Sequence, residues 1–156
     1  MHKQIELLGE EIAADIAHLD AVLHAVLEKI RTFDEGGGWY RQGFRSCADW
    51  LSWRVGWNLG TAREHVRVAR RLVELPQIDE ALRVGKLSYS KVCAITRVAT
   101  PPIEGVLLED ALLTTGQQLE TICRKYATVQ RHGPDRGGPP PRGSGHGVGR
   151  TRAGRC

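Results

Sequence analysis

An uninterrupted apolar repeat over residues 4–34 constrains the fold of this chain more than any other feature of its sequence. The segment contains no proline and a single glycine. Large apolar side chains recur in two rows with a spacing of seven residues; the first row is Ile5, Ile12, Leu19, Val26 and Phe33, and the second is Ile16, Leu23 and Ile30. This spacing predicts one amphipathic helix about 45 Å long.

A helix of this length needs a partner along its apolar face. Later helices of the same chain would cover that face in an intramolecular bundle, and a second copy of the chain would cover it in a dimer. We expect the bundle, and dimerisation through residues 4–34 is the alternative.

The rest of the chain up to residue 132 reads as further helices with short connections. Ser46, the pair Thr61 and Glu64, and Ser88 have the character of N-terminal caps, while Gly56, Gly85 and the breaker Pro76 mark helix ends. No stretch alternates apolar and polar residues as a strand would. The predicted fold is all-α, a multi-helix bundle of seven helices; they span residues 4–34, 46–56, 61–75, 77–85, 89–99, 103–113 and 115–130.

The last 24 residues have a different composition. Residues 133–156 hold eight glycines and four prolines, too few apolar groups to offset the entropy lost on ordering. We therefore predict a helical domain over residues 1–132 and a disordered Gly/Pro/Arg-rich tail over 133–156. Arginine, glycine and proline codons are GC-rich, so a frameshift in a GC-rich gene would produce this tail; the alternative is a natural basic tail that binds nucleic acid.

The net charge of +4 is located in that tail, which has five arginines and one aspartate. Residues 1–132 hold 17 basic and 17 acidic side chains. Within them, residues 1–35 carry a net charge of −5 and residues 39–99 a net charge of +6. The acidic first segment and the basic middle either neutralise each other by packing, or the middle faces an acidic partner such as DNA.

Two groups of side chains in the basic middle are candidates for contact with nucleic acid. Trp50, Trp53 and Trp57 share one helix face; we expect them in the core rather than as a platform for stacked bases. A stripe of arginines on the next helix is either neutralised by acidic neighbours or contacts DNA phosphates. The stripe consists of Arg63, Arg67, Arg70 and Arg71, and Arg83, Lys86, Lys91 and Arg97 could extend it.

Catalysis, metal binding and membrane insertion have no support in the residues. The four cysteines form no CxxC pair, the six histidines are scattered, and no nucleophile elbow, zinc-protease motif or phosphate loop occurs. No apolar run approaches the roughly 20 residues needed to cross a bilayer. We predict a cytoplasmic protein that is not an enzyme, with no cofactor, no metal and no small-molecule ligand.

Residues 33–101 resemble a bacterial family. The marks are "SCADWLSW", "AREHVRVARRL", "LP" and "GKLSYSKVCAITRVATP", and the resemblance extends over roughly residues 4–131. The family is the N-terminal helical domain numbered 222 among the domains of unknown function, which is usually followed by an HNH endonuclease module. The resemblance implies a helical accessory domain and an association with DNA.

The nuclease activity itself does not follow from the resemblance. An HNH site needs a general-base histidine, an asparagine and a second histidine around one divalent metal. The chain has one asparagine, Asn58, without matching histidines. We therefore predict a truncated product without nuclease activity. The alternatives are a stand-alone DNA-binding module, using the arginine stripe and the tail, and a helical dimerisation module.

Overall fold

A computed structural model of the protein describes residues 1–133, and this part of the chain is helical without any strand. The all-α prediction is confirmed, with eight helices in the described range. They are α1 (His2–Glu35), α2 (Gly38–Arg41), α3 (Cys47–Val55), α4 (Leu59–Arg71), α5 (Pro76–Arg83), α6 (Tyr89–Ile95), α7 (Glu104–Leu113) and α8 (Gly116–Arg131). Short 3₁₀ turns occupy Leu72–Glu74 and Pro101–Ile103. The predicted disordered tail lies, apart from Gly133, outside the described residues.

The second half of α1 belongs to the folded body, and the first half does not. Leu27 and Ile30 are buried, and this half of the helix packs on α4 and α5. By contrast, every residue from 1 to 16 is exposed. We call residues 2–16 the arm and residues 17–133 the body. The expected packing along the whole of α1 is therefore wrong for the arm, because no later helix extends beyond the body to meet it.

The core of the body lies where α1 and the helices α3 to α8 meet. Its largest fully buried apolar side chains include Leu75, Ile78, Leu82, Leu87, Ile95, Leu107 and Leu119. Pro76 separates α4 from α5, and it is also the first residue of α5, where its missing N–H has no bond to lose. Local sequence and tertiary packing thus agree on these two helices.

Several helix ends match the predicted caps, and two do not. Ser46 Oγ accepts a hydrogen bond from the Asp49 N–H at 3.1 Å, and Gly56 ends α3 with a φ of 81°. α4 begins earlier than predicted, because Asn58 rather than Thr61 caps it; Asn58 Oδ1 accepts the Gly60 N–H at 2.8 Å. Asparagine is the stronger capping residue of the two.

The end of α6 is also shorter than the sequence predicts. The helix stops at Ile95 instead of Ala99. The guanidinium of Arg71 donates hydrogen bonds to the carbonyls of Thr96 and Ala99. These long-range bonds satisfy carbonyls in the turn that follows α6, and a sequence pattern does not reveal them.

Gly85 fixes the place where α1 leaves the body. Its φ of 75° lies in the left-handed region, and a Cβ added there would be 2.8 Å from the carbonyl oxygen of Ala17. Only glycine combines that backbone conformation with such a close approach. The turn after α5 is therefore in contact with α1 next to the last residue of the arm.

Among the helices of residues 1–133, none is both long enough and apolar enough to cross a membrane.

Candidate functional site

The arginine stripe lies on α4 as predicted, but its four members have different surroundings. Arg63 and Arg70 are exposed, while Arg67 and Arg71 are half-buried. They line one groove of about 450 Å³, whose opposite wall is the start of α3. The groove is lined by Ser46, Cys47, Ala48, Arg63, Val66, Arg67, Arg70 and Arg71.

Arg67 is bound to groups of its own chain. Its guanidinium donates to both carboxylate oxygens of Glu64, at 2.6 and 3.0 Å, and to the carbonyl of Cys93 at 3.0 Å. Arg97 also donates to Glu64, at 3.1 Å. The hydrogen bond from Arg67, helped by both positive charges, holds the pKa of Glu64 below its ordinary value. Arg67 therefore connects α4 to α6 within the body.

Arg70 and Arg71 have comparable internal partners. Arg70 forms a two-point ion pair with Asp34 near the end of α1, with N···O distances of 2.7 and 3.0 Å, and the Asp34 side chain is only 8% exposed. Arg71 donates to the backbone carbonyls that follow α6. Three of the four stripe arginines thus hold elements of the body together. Arg63 has no ion pair within the described residues.

Most of the residues that were predicted to extend the stripe also have partners within the body. Arg83 pairs with Glu80 at 2.5 Å, and Arg97 pairs with Glu64. Lys91 Nζ donates to the carbonyls of Ala111 and Thr114, both at 2.7 Å, at the end of α7. Lys86 is exposed and has no ion pair within the described residues. The contact of the stripe with nucleic acid stays a prediction, and the uncompensated charges available for it are those of Arg63 and Lys86.

Cys47 is the one sulfur atom in the wall of the arginine groove. Burial, together with the negative charge of Asp34, raises the pKa of its thiol to about 11. The reactive form of cysteine is the thiolate, so at neutral pH this side chain remains a protonated, buried thiol. Its role in the groove is packing.

The three tryptophans of the α3 region do not share one environment. The Trp50 ring lies 4.4 Å from that of Phe33, and its N–H donates to Gln42 at 2.9 Å. Trp57 stacks on His65 with ring centroids 4.1 Å apart. Trp53, in contrast, is 66% exposed. The core prediction is confirmed for two of these rings, which pack partly buried against the core, and it is wrong for Trp53.

The arm presents the largest set of uncovered apolar side chains near one end of the molecule. Ile5 is 64% exposed and Ile12 is 56% exposed. The other large apolar residues of the arm, and those just beyond it, are about as exposed; they are Leu7, Leu8, Ile16, Leu19 and Val22. The same heptad stripe that enters the core at Leu23 therefore continues into solvent.

Ionisable groups in the interior have structural partners. His24 Nε2 lies 2.8 Å from an oxygen of Asp79, and the ring of His65 lies between those of Trp57 and Tyr89. Glu104 is only 2% exposed, and no sequence motif singled it out. In residues 1–133, no three histidine, cysteine or carboxylate side chains converge as a metal site would need.

Comparison with known proteins gives a family and no nearer relative. No curated protein and no solved structure matches the chain. The family described as Domain of unknown function (DUF222) matches residues 7–129. That range includes most of the arm and nearly all of the described body, and on this ground the chain belongs to the DUF222 family.

Proposed function

We propose that this chain is a non-catalytic accessory domain of an HNH-endonuclease-like protein, and that it joins two copies of that protein through the arm. The observation that carries the proposal is the uncovered apolar stripe of α1. Burying a large aliphatic side chain completely stabilises a protein by about 1.5–3 kcal/mol. A half-exposed one therefore offers about 1 kcal/mol to a partner, and four such side chains of the arm share one face of the helix: Ile5, Leu8, Ile12 and Ile16.

The small burial energy of a single arm favours a contact in which each of two copies buries its arm on the other. Association of two proteins must overcome at least about 4 kcal/mol of lost translational and rotational freedom. The burial of one arm on a partner only balances that cost. In a twofold dimer both arms are buried, because each surface is used twice. The doubled contribution makes a stable complex possible.

The charges favour a second copy of this chain as the partner. The arm carries one lysine and four acidic residues, whereas residues 39–99 carry a net charge of +6. An arm placed on the body of another copy brings opposite charges together. Two arms side by side would bring like charges together. We therefore propose that the arm of each copy contacts the body of the other.

The non-catalytic part of the proposal is supported by the surroundings of the interior ionisable groups. His24, His65 and Glu104 each have partners inside the body. Side chains bound in this way serve the packing of the helices. The resemblance to proteins with an HNH module supports the accessory role, since pairing two such domains would pair two nuclease modules.

Self-association is tested by sedimentation of the full chain and of two triple variants. In the first variant, Ile5, Ile12 and Ile16 become Gln. The matched control changes three exposed valines elsewhere, Val73, Val106 and Val129, to Gln. We expect a dimer for the unchanged chain and for the control, and a monomer for the arm variant. A monomeric unchanged chain at high concentration would contradict the proposal, as would equal dissociation of both variants.

Salt separates the arm-to-body contact from an arm-to-arm coiled coil. Screening weakens attraction between opposite charges and relieves repulsion between like charges. We expect the dimer to weaken when NaCl is raised from about 50 to about 500 mM. A dimer that strengthens over this range would favour the coiled coil instead.

The absence of nuclease activity and the relation to HNH proteins have separate tests. We expect no nicking of supercoiled plasmid by the purified chain with Mg²⁺, Mn²⁺ or Zn²⁺; nicking that a chelator abolishes would contradict this. For the relation, the gene is translated in all frames beyond residue 132. A frame that encodes a His/Asn/His module supports the relation, and its absence from every frame argues for a domain that acts without one.

A further inference from the structure

The exposed ring of Trp53 requires an explanation that the assembly function does not give. Trp53 is on α3, on the body, and it is 66% exposed although its neighbours Trp50 and Trp57 are partly buried. Burial of a tryptophan ring stabilises a fold more than burial of most other side chains, and an exposed tryptophan does not contribute this free energy. Its ring is held in place by Phe44, with ring centroids 5.2 Å apart and an angle of 40° between the planes. The ring is thus oriented before any ligand arrives.

The segment of the chain around Phe44 and Trp53 is basic, and its arginines have no ion pairs within the described residues. Arg41, Arg45 and Arg54 are all exposed, and none of them forms an ion pair within residues 1–133. They flank the aromatic residues in sequence, since Arg45 follows Phe44 and Arg54 follows Trp53. They differ in this respect from Arg67, Arg70 and Arg71 on α4, which are tied to acidic groups and carbonyls of the body.

A second exposed aromatic side chain belongs to the same segment. Tyr40, on α2, is 74% exposed. The helices α2 and α3 are in contact, and Gln42 between them accepts a hydrogen bond from Trp50. The only acidic residue among residues 38–57 is Asp49, against three arginines. We call Phe44, Arg45, Trp53 and Arg54 the aromatic–arginine face, because the two rings are in contact and each arginine follows one of them in sequence.

We propose that the aromatic–arginine face binds single-stranded nucleic acid, with an unpaired base stacked on Trp53 and the arginines in contact with phosphates. Every base has a flat π-face that stacks on an exposed indole, and guanidinium groups match phosphate oxygens. A duplex keeps its base faces covered by neighbouring base pairs. Unpaired strands are therefore the form of nucleic acid that this combination of groups fits.

The test is fluorescence anisotropy of the full chain with a labelled oligo-dT of about 12 nucleotides, a length within the range that one small stacking domain covers. Loss of one stacking contact weakens binding by about tenfold. We expect that loss for Trp53→Ala, and we expect Trp53→Phe to keep most of the affinity. Because the ring is exposed, both variants should unfold at the same urea concentration as the unchanged chain.

The arginines are tested by the same measurement at several salt concentrations. Each lost phosphate contact reduces the slope of log affinity against log salt by about 0.7 for a single strand. We expect Arg45→Ala with Arg54→Ala to reduce both the slope and the affinity. Arg124→Ala with Arg131→Ala is the matched control, since both are exposed arginines of α8 without an ion pair within residues 1–133, and we expect it to change neither.

Four results would overturn the proposal. The first is an affinity for oligo-dT that Trp53→Ala leaves unchanged. The second is binding lost only on removal of residues 133–156, which would assign it to the basic tail. The third is a duplex of the same length that binds as tightly as oligo-dT, with an affinity that Trp53→Ala does not change. The fourth is binding of Trp53 to vesicles with anionic lipids and no binding of oligo-dT, which would make the face a membrane contact.

Discussion

At the scale of single residues, Glu104 shows how a buried carboxylate organises this fold. Its Oε1 atom accepts hydrogen bonds from the backbone N–H groups of Gln77, at 2.6 Å, and Ile78, at 2.9 Å. These are two of the free N–H groups in the first turn of α5, where no side chain of α5 itself provides a cap. A negative charge is also favourable at the N-terminal end of a helix. The start of α7 therefore caps the start of α5.

Glu104→Gln should destabilise the protein by about 1–3 kcal/mol, since it removes the charge and leaves a poorer acceptor for two buried donors. The measurement is the free energy of unfolding in urea. Glu109→Gln, on the exposed side of the same helix, is the control, and we expect it to have little effect. Equal effects of the two substitutions would show that the capping contact contributes nothing.

At the scale of elements, the sequence predicts helices well and their ends less well. The heptad stripe of α1, the cap Ser46 and the terminator Gly56 are local signals, and the structure agrees with each. The start of α4 is set by Asn58, a local cap other than the predicted Thr61, and the end of α6 depends on distant groups. Glu64, a candidate for a capping box with Thr61, is instead bound by Arg67 and Arg97. Contacts between residues about 30 positions apart leave no trace in a local pattern.

The candidate surfaces were predictable only in part, for the same reason. The stripe on α4 follows from helical spacing. Two of its ion pairs, Arg67 with Glu64 and Arg71 with Glu74, join residues three apart, and helical spacing also indicates these. The remaining internal partners come from α1 and from the segment around α6, and spacing along α4 does not show them. Likewise, helical spacing predicts burial in the core equally for Trp50, Trp53 and Trp57. Their burial differs because Phe33 and His65 cover two of them, and only the tertiary structure places those neighbours.

Glu64 also makes the link between α4 and α6 sensitive to acid. Because Arg67 and Arg97 hold its pKa below the ordinary value of 4.5, the folded state binds a proton at Glu64 less readily than the unfolded state. Its stabilising contribution is therefore complete above about pH 4.5 and is lost as the pH falls through the lower folded-state pKa.

We accordingly expect Glu64→Gln to lower the urea midpoint at about pH 7 and to have a much smaller effect at about pH 3. Glu109→Gln should show no such dependence on pH. If the urea midpoints of Glu64→Gln and the unchanged chain differ by the same amount at neutral and acidic pH, the stabilising role of the Glu64 ion pairs is contradicted.

At the scale of the whole molecule, the chain divides into a packed body and an arm that adds nothing to its core. Removal of residues 2–15 should therefore leave the Tm of dilute protein nearly unchanged. At higher concentration the Tm of the full chain should rise, because self-association stabilises the folded state, whereas that of the shortened chain should stay constant. Calorimetry over a range of concentrations measures both. Unfolding of the shortened chain in dilute solution would show that the arm is needed for the fold.

The exposure of the arm has a consequence for the kinetics of its backbone amides. A helix of about 15 residues without tertiary contacts is only marginally stable in water. The amide protons of the arm should therefore exchange with deuterium quickly in an isolated chain, while those around Leu27 and Ile30 exchange slowly. Docking on a partner would slow exchange in the arm alone. Hydrogen exchange in residues 2–16 thus reports whether the arm is occupied, in a mixture or in a cell extract, without any change to the sequence.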